Sequence, residues 1–258
     1  AYFSADFHNH ATMYLMAQLF EQHDKEKFEI IGFSFGPDYQ DQMRARAIKA
    51  LDQFYDVRFK TDYEVAKFSR EIGIDIAVDL KGYTLNYRAG IFENRAAPIQ
   101  LNYLGYPGTM AANFIDFIVA DKFVIPEIYK NQYSEKVVYM PTCYQVNDES
   151  RKISKKQFTR AEMGLPAEGF VFCCFNNNYK ITPSLFDSWM NILKSVNGSV
   201  LWLLEDNSSV PLNLRKEARY RGVNPSRIIF SKRLSLEEHL SRHQLANLFL
   251  DTFPCNAH

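Results

Sequence analysis

The chain has 258 residues, 47% of them hydrophobic and 23% charged, and its 30 Lys+Arg balance 30 Asp+Glu to a formal net charge of zero. That balance excludes a basic nucleic-acid binder, which needs a cationic surface facing phosphates, and it excludes an acidic disordered tail. With 21 Phe, 15 Tyr and 2 Trp, there is material for one large core or two modest ones, and two domains are favoured.

A strand-like segment is already running at Ala1, and the chain stops a few residues past its last strand, so both ends read as cut. The start has no basic leader, and no apolar stretch approaches the ~20 residues that a membrane span requires. Short β-rich runs at 28–35, 74–80, 99–104 and 114–120 alternate with helical spacing at Met13, Leu15, Met16, Leu19 and Phe20 and again over 63–72. Such alternation predicts an α/β fold with a mostly parallel sheet. A polar, charged stretch from Asn147 to Lys156 reads as a linker.

Beyond it the alternation restarts: strand 169–175, helix 182–196, strand 199–204, helix 213–221, strand 227–231, helix 235–243, strand 248–251. This βαβαβαβ order is half of a doubly wound fold. Cys143, Cys173, Cys174 and Cys255 are too few and too scattered for a disulfide scaffold, which suits a reducing, cytoplasmic setting.

The most informative segment is Phe175-Asn176-Asn177-Asn178-Tyr179-Lys180-Ile181-Thr182-Pro183. It leaves a strand and enters a helix with Thr182 as N-cap and Pro183 at the first helical position. Ligands of open α/β sheets bind outside the carboxyl ends of the strands, where helix N-termini attract anions. Lys180 adds a full charge there, so the segment is either a phosphate site or a polar loop with a solvated lysine.

Other strand-end groups are open to two readings each. Cys255 and His258 suit a thiolate and its base, or are bystanders. His239 and His243 share a helix face and could hold zinc, but Leu240 stands where metalloproteases carry Glu, so one histidine turned towards a ligand is the alternative. His8 and His10, after Asp6, could ligate a metal, perform acid/base work or simply satisfy a loop. Gly32-Phe33-Ser34-Phe35-Gly36 matches the hydrolase elbow literally, although the next helix starts several residues late. The glycine-containing turns at 81–84 and 104–109 would let backbone or tyrosine faces approach a sugar, or are ordinary turn chemistry. Neither a Walker motif nor a dinucleotide fingerprint is present.

Taken together, Leu104-Gly105-Tyr106-Pro107-Gly108-Thr109, Gln132-Tyr133-Ser134-Glu135-Lys136, Phe175 through Lys180, Val200-Leu201-Trp202-Leu203-Leu204 and Asp251 through His258 resemble the catalytic region of the protein O-linked N-acetylglucosamine transferases, glycosyltransferase family 41, and especially its bacterial members. The resemblance runs from Phe3 to His258. It implies a GT-B fold, two Rossmann-like domains facing a cleft with the second truncated: an acceptor-side domain over 1–146, a charged linker over 147–160 and a nucleotide-sugar-binding domain over 161–258. It also implies metal-independent, inverting transfer of N-acetylglucosamine from UDP to serine or threonine hydroxyls of proteins, with no cofactor. The partners implied are a UDP-sugar donor and a protein or peptide acceptor, with helical repeats upstream and neither nucleic acid nor membrane.

Carried over by position, Lys180 resembles the lysine on the donor diphosphate and His239 the histidine near the nucleoside. Cys255 resembles a residue of the sugar pocket, and His258 the histidine opening a phosphate-binding helix. Leu104, Gly105 and Tyr106 resemble the sugar-contacting turn, with Tyr83 beside it. Asp6 and His10 resemble the acceptor-side pair where a catalytic base has been sought, a donor phosphate oxygen being the other candidate. The pattern departs from the animal enzymes at Asn177, which stands for a longer Gln, at Leu236, which stands for a basic residue, and at Ala11, which stands for Pro. Another donor sugar, glucose or fucose, or a noncatalytic sugar-binding module would keep the same fold. The isolated segment is expected to be inactive.

Overall fold

Among the described residues eleven short strands carry the architecture, and every pairing between them is parallel. The computed structural model describes residues 1–257, so His258 lies outside the described residues. The chain divides into two compact units between Ser150 and Arg151.

In the first unit the elements are β1 (Tyr2–Ser4), α1 (Ala11–Gln22), β2 (Ile31–Ser34), α2 (Gln42–Ala50), β3 (Gln53–Asp56), α3 (Asp62–Glu71), β4 (Ile76–Asp79), α4 (Gly90–Glu93), β5 (Ile99–Asn102), β6 (Phe117–Ala120) and β7 (Lys136–Tyr139). They build one sheet in the order β3-β2-β1-β4-β5-β6-β7. Helix starts follow side-chain caps: Asp41 accepts from Arg44 N–H, and Thr61 with Glu64 forms a reciprocal capping box. Alternation along β1 sends Tyr2 and Phe3 to opposite faces, where each joins a separate apolar layer. Phe3 is fully buried and stacks on Phe33 at 4.4 Å between ring centroids; burying such a side chain stabilises by roughly 1.5–3 kcal/mol.

The second unit contains β8 (Val171–Cys174), α5 (Pro183–Ser195), β9 (Val200–Leu204), α6 (Ser209–Tyr220), β10 (Ile228–Ser231), α7 (Leu236–Arg242) and β11 (Leu248–Phe249). Its sheet runs β10-β9-β8-β11. Each sheet therefore reverses its winding once, between β1 and β4 in the first and between β8 and β11 in the second, and such a reversal opens a crevice at the strands' carboxyl ends. The α/β, doubly wound expectation holds for both units.

Three departures from the sequence reading have local causes. Strands β3 and β7 were not expected; both lie at sheet edges, where exposed polar residues such as Gln53, Asp56 and Lys136 replace a continuous apolar run. Helix α6 begins at Ser209 rather than 213, because Pro211 falls in its first turn, where the missing N–H costs nothing. Among the described residues no helix is long and apolar enough to cross a membrane.

Candidate functional site

At the first reversal the loops leaving β1 and β4 bring Asp6 and Lys81 together. Lys81 Nζ donates to Asp6 Oδ2 at 2.7 Å, and the two side chains are 5% and 9% exposed. His10 is the N-cap of α1; its Nδ1 accepts from Thr12 N–H at 3.2 Å and lies 3.5 Å from Asp6 Oδ2. Burial holds the His10 pKa below its ordinary value; Asp6 opposes that shift, and the charges of Lys81 and His8 add to it. Lys81 was read only as part of a turn, since a buried lysine leaves no mark in a sequence pattern.

The turns after β4 and β5 lock into each other. A Cβ on Gly105 would overlap the Leu80 carbonyl, and one on Gly82, which has φ +50°, would overlap the Tyr106 side chain. Leu104 itself takes φ +65°, a left-handed conformation that costs a non-glycine residue on the order of 1–3 kcal/mol and survives only where its surroundings enforce it. Glu135, 3% exposed, is one such constraint: it accepts from Met110 N–H at 2.6 Å and Thr109 Oγ1 at 2.7 Å. The two motifs 104–109 and 132–136 are thus one structure. Tyr83 donates its hydroxyl to Met110 O at 2.9 Å and meets Tyr106 edge-on at 5.7 Å. Its hydroxyl is occupied, and what it offers a ligand is its half-exposed ring.

At the second reversal, Lys180 Nζ donates to Asn256 O at 2.8 Å. The loop that supplies this carbonyl is gathered by Asp251, which accepts from Thr252 N–H, Ala257 N–H and Asn176 Nδ2. Thr182 caps α5 beside it by accepting from Leu185 N–H. Among the described residues Lys180 forms no ion pair. A cation held by one neutral carbonyl at a helix start keeps its charge available to an anion. Asn177 Oδ1 accepts from Arg233, whose other partner is Asp206. Cys255 is exposed, and its backbone carbonyl accepts from Thr252 Oγ1; its candidate base, His258, lies outside the described residues.

On α7, Arg242 is fully buried, lies over the Phe175 ring at 4.2 Å and donates to His239 Nδ1 at 2.6 Å and Lys232 O at 2.8 Å. Burial first, then the positive charges of Arg242, His243 and Arg233, push His239 down to about 4. That setting speaks against the zinc reading of His239 and His243: Arg242 donates to His239 Nδ1, so the neutral His239 ring carries its proton on Nε2 and has no lone pair left for a metal. No cluster of three or more His, Cys, Asp or Glu that could hold a metal exists among the described residues, those around His8 and His10 included. The hydrolase elbow also fails. Ser34 is 1% exposed and accepts from Arg44 Nη1 at 3.1 Å, no helix starts there, and Gly36 is required because it packs on the Ala5 backbone.

Two parallel, Rossmann-like sheets in tandem, each gathering polar strand-end loops at its reversal, define the GT-B class of α/β fold. The model of glycosyl transferase family 41 matches residues 1–158 and 153–258, and the chain belongs to that family, as its motifs implied. In an alignment of 262 positions that takes in the whole chain, it is 38% identical to an Arabidopsis thaliana protein named a probable UDP-N-acetylglucosamine–peptide N-acetylglucosaminyltransferase, SEC, and covers 27% of it. It is 27% identical to the Caenorhabditis elegans UDP-N-acetylglucosamine–peptide N-acetylglucosaminyltransferase, with the whole chain aligned to 32% of that protein. A solved mutant of the Thermobaculum terrenum O-GlcNAc transferase superposes with a TM-score of 0.90 at 25% identity, over 99% of this chain and 48% of that one. The chain thus spans about a third or less of the length of these two curated relatives.

Proposed function

We propose that this chain is the catalytic region of an inverting glycosyltransferase that moves N-acetylglucosamine from UDP-N-acetylglucosamine to serine or threonine hydroxyls of proteins. The relatives' names support the donor and the peptide acceptor. The observation that carries the reading is Lys180 at the reversal of the second sheet, a cation that rests on Asn256 O and has no carboxylate partner among the described residues. When UDP departs, negative charge grows on the diphosphate. Lys180 Nζ, released from Asn256 O, and the N-terminus of α5 would stabilise it without a metal or cofactor.

In this reading His239 and Asn177 line the nucleoside end, and Cys255 and His258 the sugar and phosphates. Leu104, Gly105, Tyr106 and Tyr83 present turn backbone and ring faces to the sugar. Asp6 and His10 serve the acceptor side. The reading includes helical repeats before residue 1 and a cytoplasmic location; the greater length of the relatives leaves room for such repeats, and four free cysteines suit a reducing compartment.

The test is to titrate the full-length protein with UDP-N-acetylglucosamine, UDP-glucose and GDP-fucose and then examine a serine-containing peptide by mass spectrometry, with and without EDTA. Selective binding of UDP-N-acetylglucosamine and a peptide gain of one N-acetylhexosamine, unaffected by EDTA, is expected. Binding without transfer would make the chain a sugar-binding module, and preference for another donor would reassign the sugar.

A further inference from the structure

His10 and Asp6 look at first like a base and the carboxylate that orients it. In that arrangement the imidazole carries a proton on the nitrogen facing the carboxylate, which leaves the far nitrogen free to accept one. With Asp6 paired to Lys81, the hydrogen bonds around His10 favour the other tautomer. Thr12 N–H points at His10 Nδ1 at 3.2 Å, and a backbone N–H can only donate. Nδ1 is therefore the bare nitrogen, and neutral His10 carries its proton on Nε2. The His10 side chain is 43% exposed, and Nε2 has no partner among the described residues, so this N–H is presented to whatever binds there.

What removes Asp6 from His10 is Lys81. Its ammonium sits 2.7 Å from Asp6 Oδ2, the same oxygen that lies 3.5 Å from His10 Nδ1 and accepts from Thr12 Oγ1 at 3.4 Å. Lys81 is fixed in turn: its N–H donates to Asp79 Oδ1 at 2.8 Å, and its carbonyl accepts from Thr84 Oγ1 at 2.8 Å. The charged or titratable groups facing His10 are Asp6, Lys81 and His8, whose ring centroid is 5.5 Å away.

We propose that Lys81 is a positioning residue for His10: by holding Asp6 in a buried ion pair, it keeps neutral His10 in the tautomer protonated on Nε2, so that His10 donates a hydrogen bond to a ligand oxygen and does not act as a general base. The identity of that oxygen, on acceptor or donor, rests on the transferase reading above. The tautomer itself is a property of the chain alone.

The experiment uses the full-length protein labelled with 15N-histidine, His10 being assigned by its loss in His10→Asn, with Lys81→Met, Lys81→Arg and the uncharged pair Asp6→Asn/Lys81→Met as variants. In the parent protein and Lys81→Arg the nitrogen shifts report a protonated Nε2. In Lys81→Met the freed carboxylate draws the proton to Nδ1, and the His10 titration moves up by about one pH unit, the effect of gaining a near carboxylate and losing a near cation. In the double variant, which leaves no unpaired buried charge, the proton returns to Nε2. A parent protein protonated on Nδ1, or an unchanged tautomer in Lys81→Met, overturns the proposal.

Transfer assays give the second arm. Gln at position 10 carries an N–H about as far out as Nε2 and retains more transfer than Asn, which keeps the helix cap but loses that donor; the reverse order overturns the donor role. A parent protein that transfers nothing would defeat the transferase reading and leave the nitrogen shifts to decide the tautomer.

Discussion

Gly105 lies flat against the carbonyl of Leu80, with no room for a Cβ between them. The contact is one of three along the carboxyl edge of the first sheet, for Gly36 packs in the same way on the Ala5 backbone and Gly82 on the Tyr106 side chain. Glycine is required there by the close approach of the strand-end turns. A sequence reading that assigns these glycines to ordinary turn chemistry, or Gly36 to a nucleophile elbow, misses that they are spacing elements.

Substituting Gly105 should therefore be far more costly than substituting a glycine that has only its dihedral to lose. Gly105→Ala must push the Leu80 backbone aside, at the upper end of overpacking penalties, about 3 kcal/mol. Gly73→Ala, where φ is +79° but nothing lies within 4 Å, should cost only the left-handed penalty of about 1–2 kcal/mol. Urea unfolding of both variants checks the difference, and equal midpoints would show that the Leu80 carbonyl yields easily.

Glu135 is the buried group that ties the turn after β5 down. Glu135→Ala leaves Met110 N–H and Thr109 Oγ1 without their acceptor and should destabilise by about 2–4 kcal/mol; Glu135→Gln keeps one acceptor and should cost about half as much. Because the turn would loosen, the donor KM should rise in both variants in that same order. Steady-state kinetics beside urea midpoints would check the pairing of the two effects.

Much of the fold was legible because the chain writes helix and strand periods in plain alternation: 171–174 and 200–204 are buried throughout, and Thr182-Pro183 marks a helix start. The edge strands β3 and β7 were not, since an edge has no continuous apolar signal. Lys180 could be located from its strand-to-helix setting. Lys81, Arg242 and Glu135 could not, because composition assigns charged residues to the surface and only tertiary contacts reveal that these three are buried. Which strand ends meet depends on strand order, and a one-dimensional period does not encode that order.

Lys180 should separate activity from stability. Its ammonium makes one hydrogen bond, to Asn256 O, at a half-buried position, so Lys180→Ala should change the unfolding free energy by no more than about 1 kcal/mol. If the ammonium stabilises the departing diphosphate, the same change should lower kcat by about 10²–10³-fold, the scale of losing one preorganised charge contact. Lys180→Arg restores the charge with a planar fork and should recover only part of the loss. A kcat within threefold of the parent protein for Lys180→Ala would remove Lys180 from the reaction.

The last prediction concerns acid. His239 is pushed from 6.5 to about 4 by burial and by Arg242, His243 and Arg233, and burial likewise lowers His243. Between those two values the unfolded chain binds a proton at position 239 that the folded protein refuses. Stability is therefore complete above about 6.5 and is lost as the pH falls towards about 4. His239→Gln offers Arg242 a side-chain oxygen in place of Nδ1 and has nothing to titrate. Relative to the parent protein, it should lose less stability between pH 7.5 and 4.5, by about 1–2 kcal/mol once solvent screening is allowed for. Parallel urea titrations at the two pH values measure that difference directly, and identical pH dependence in both proteins would mean that His239 protonates freely in the fold.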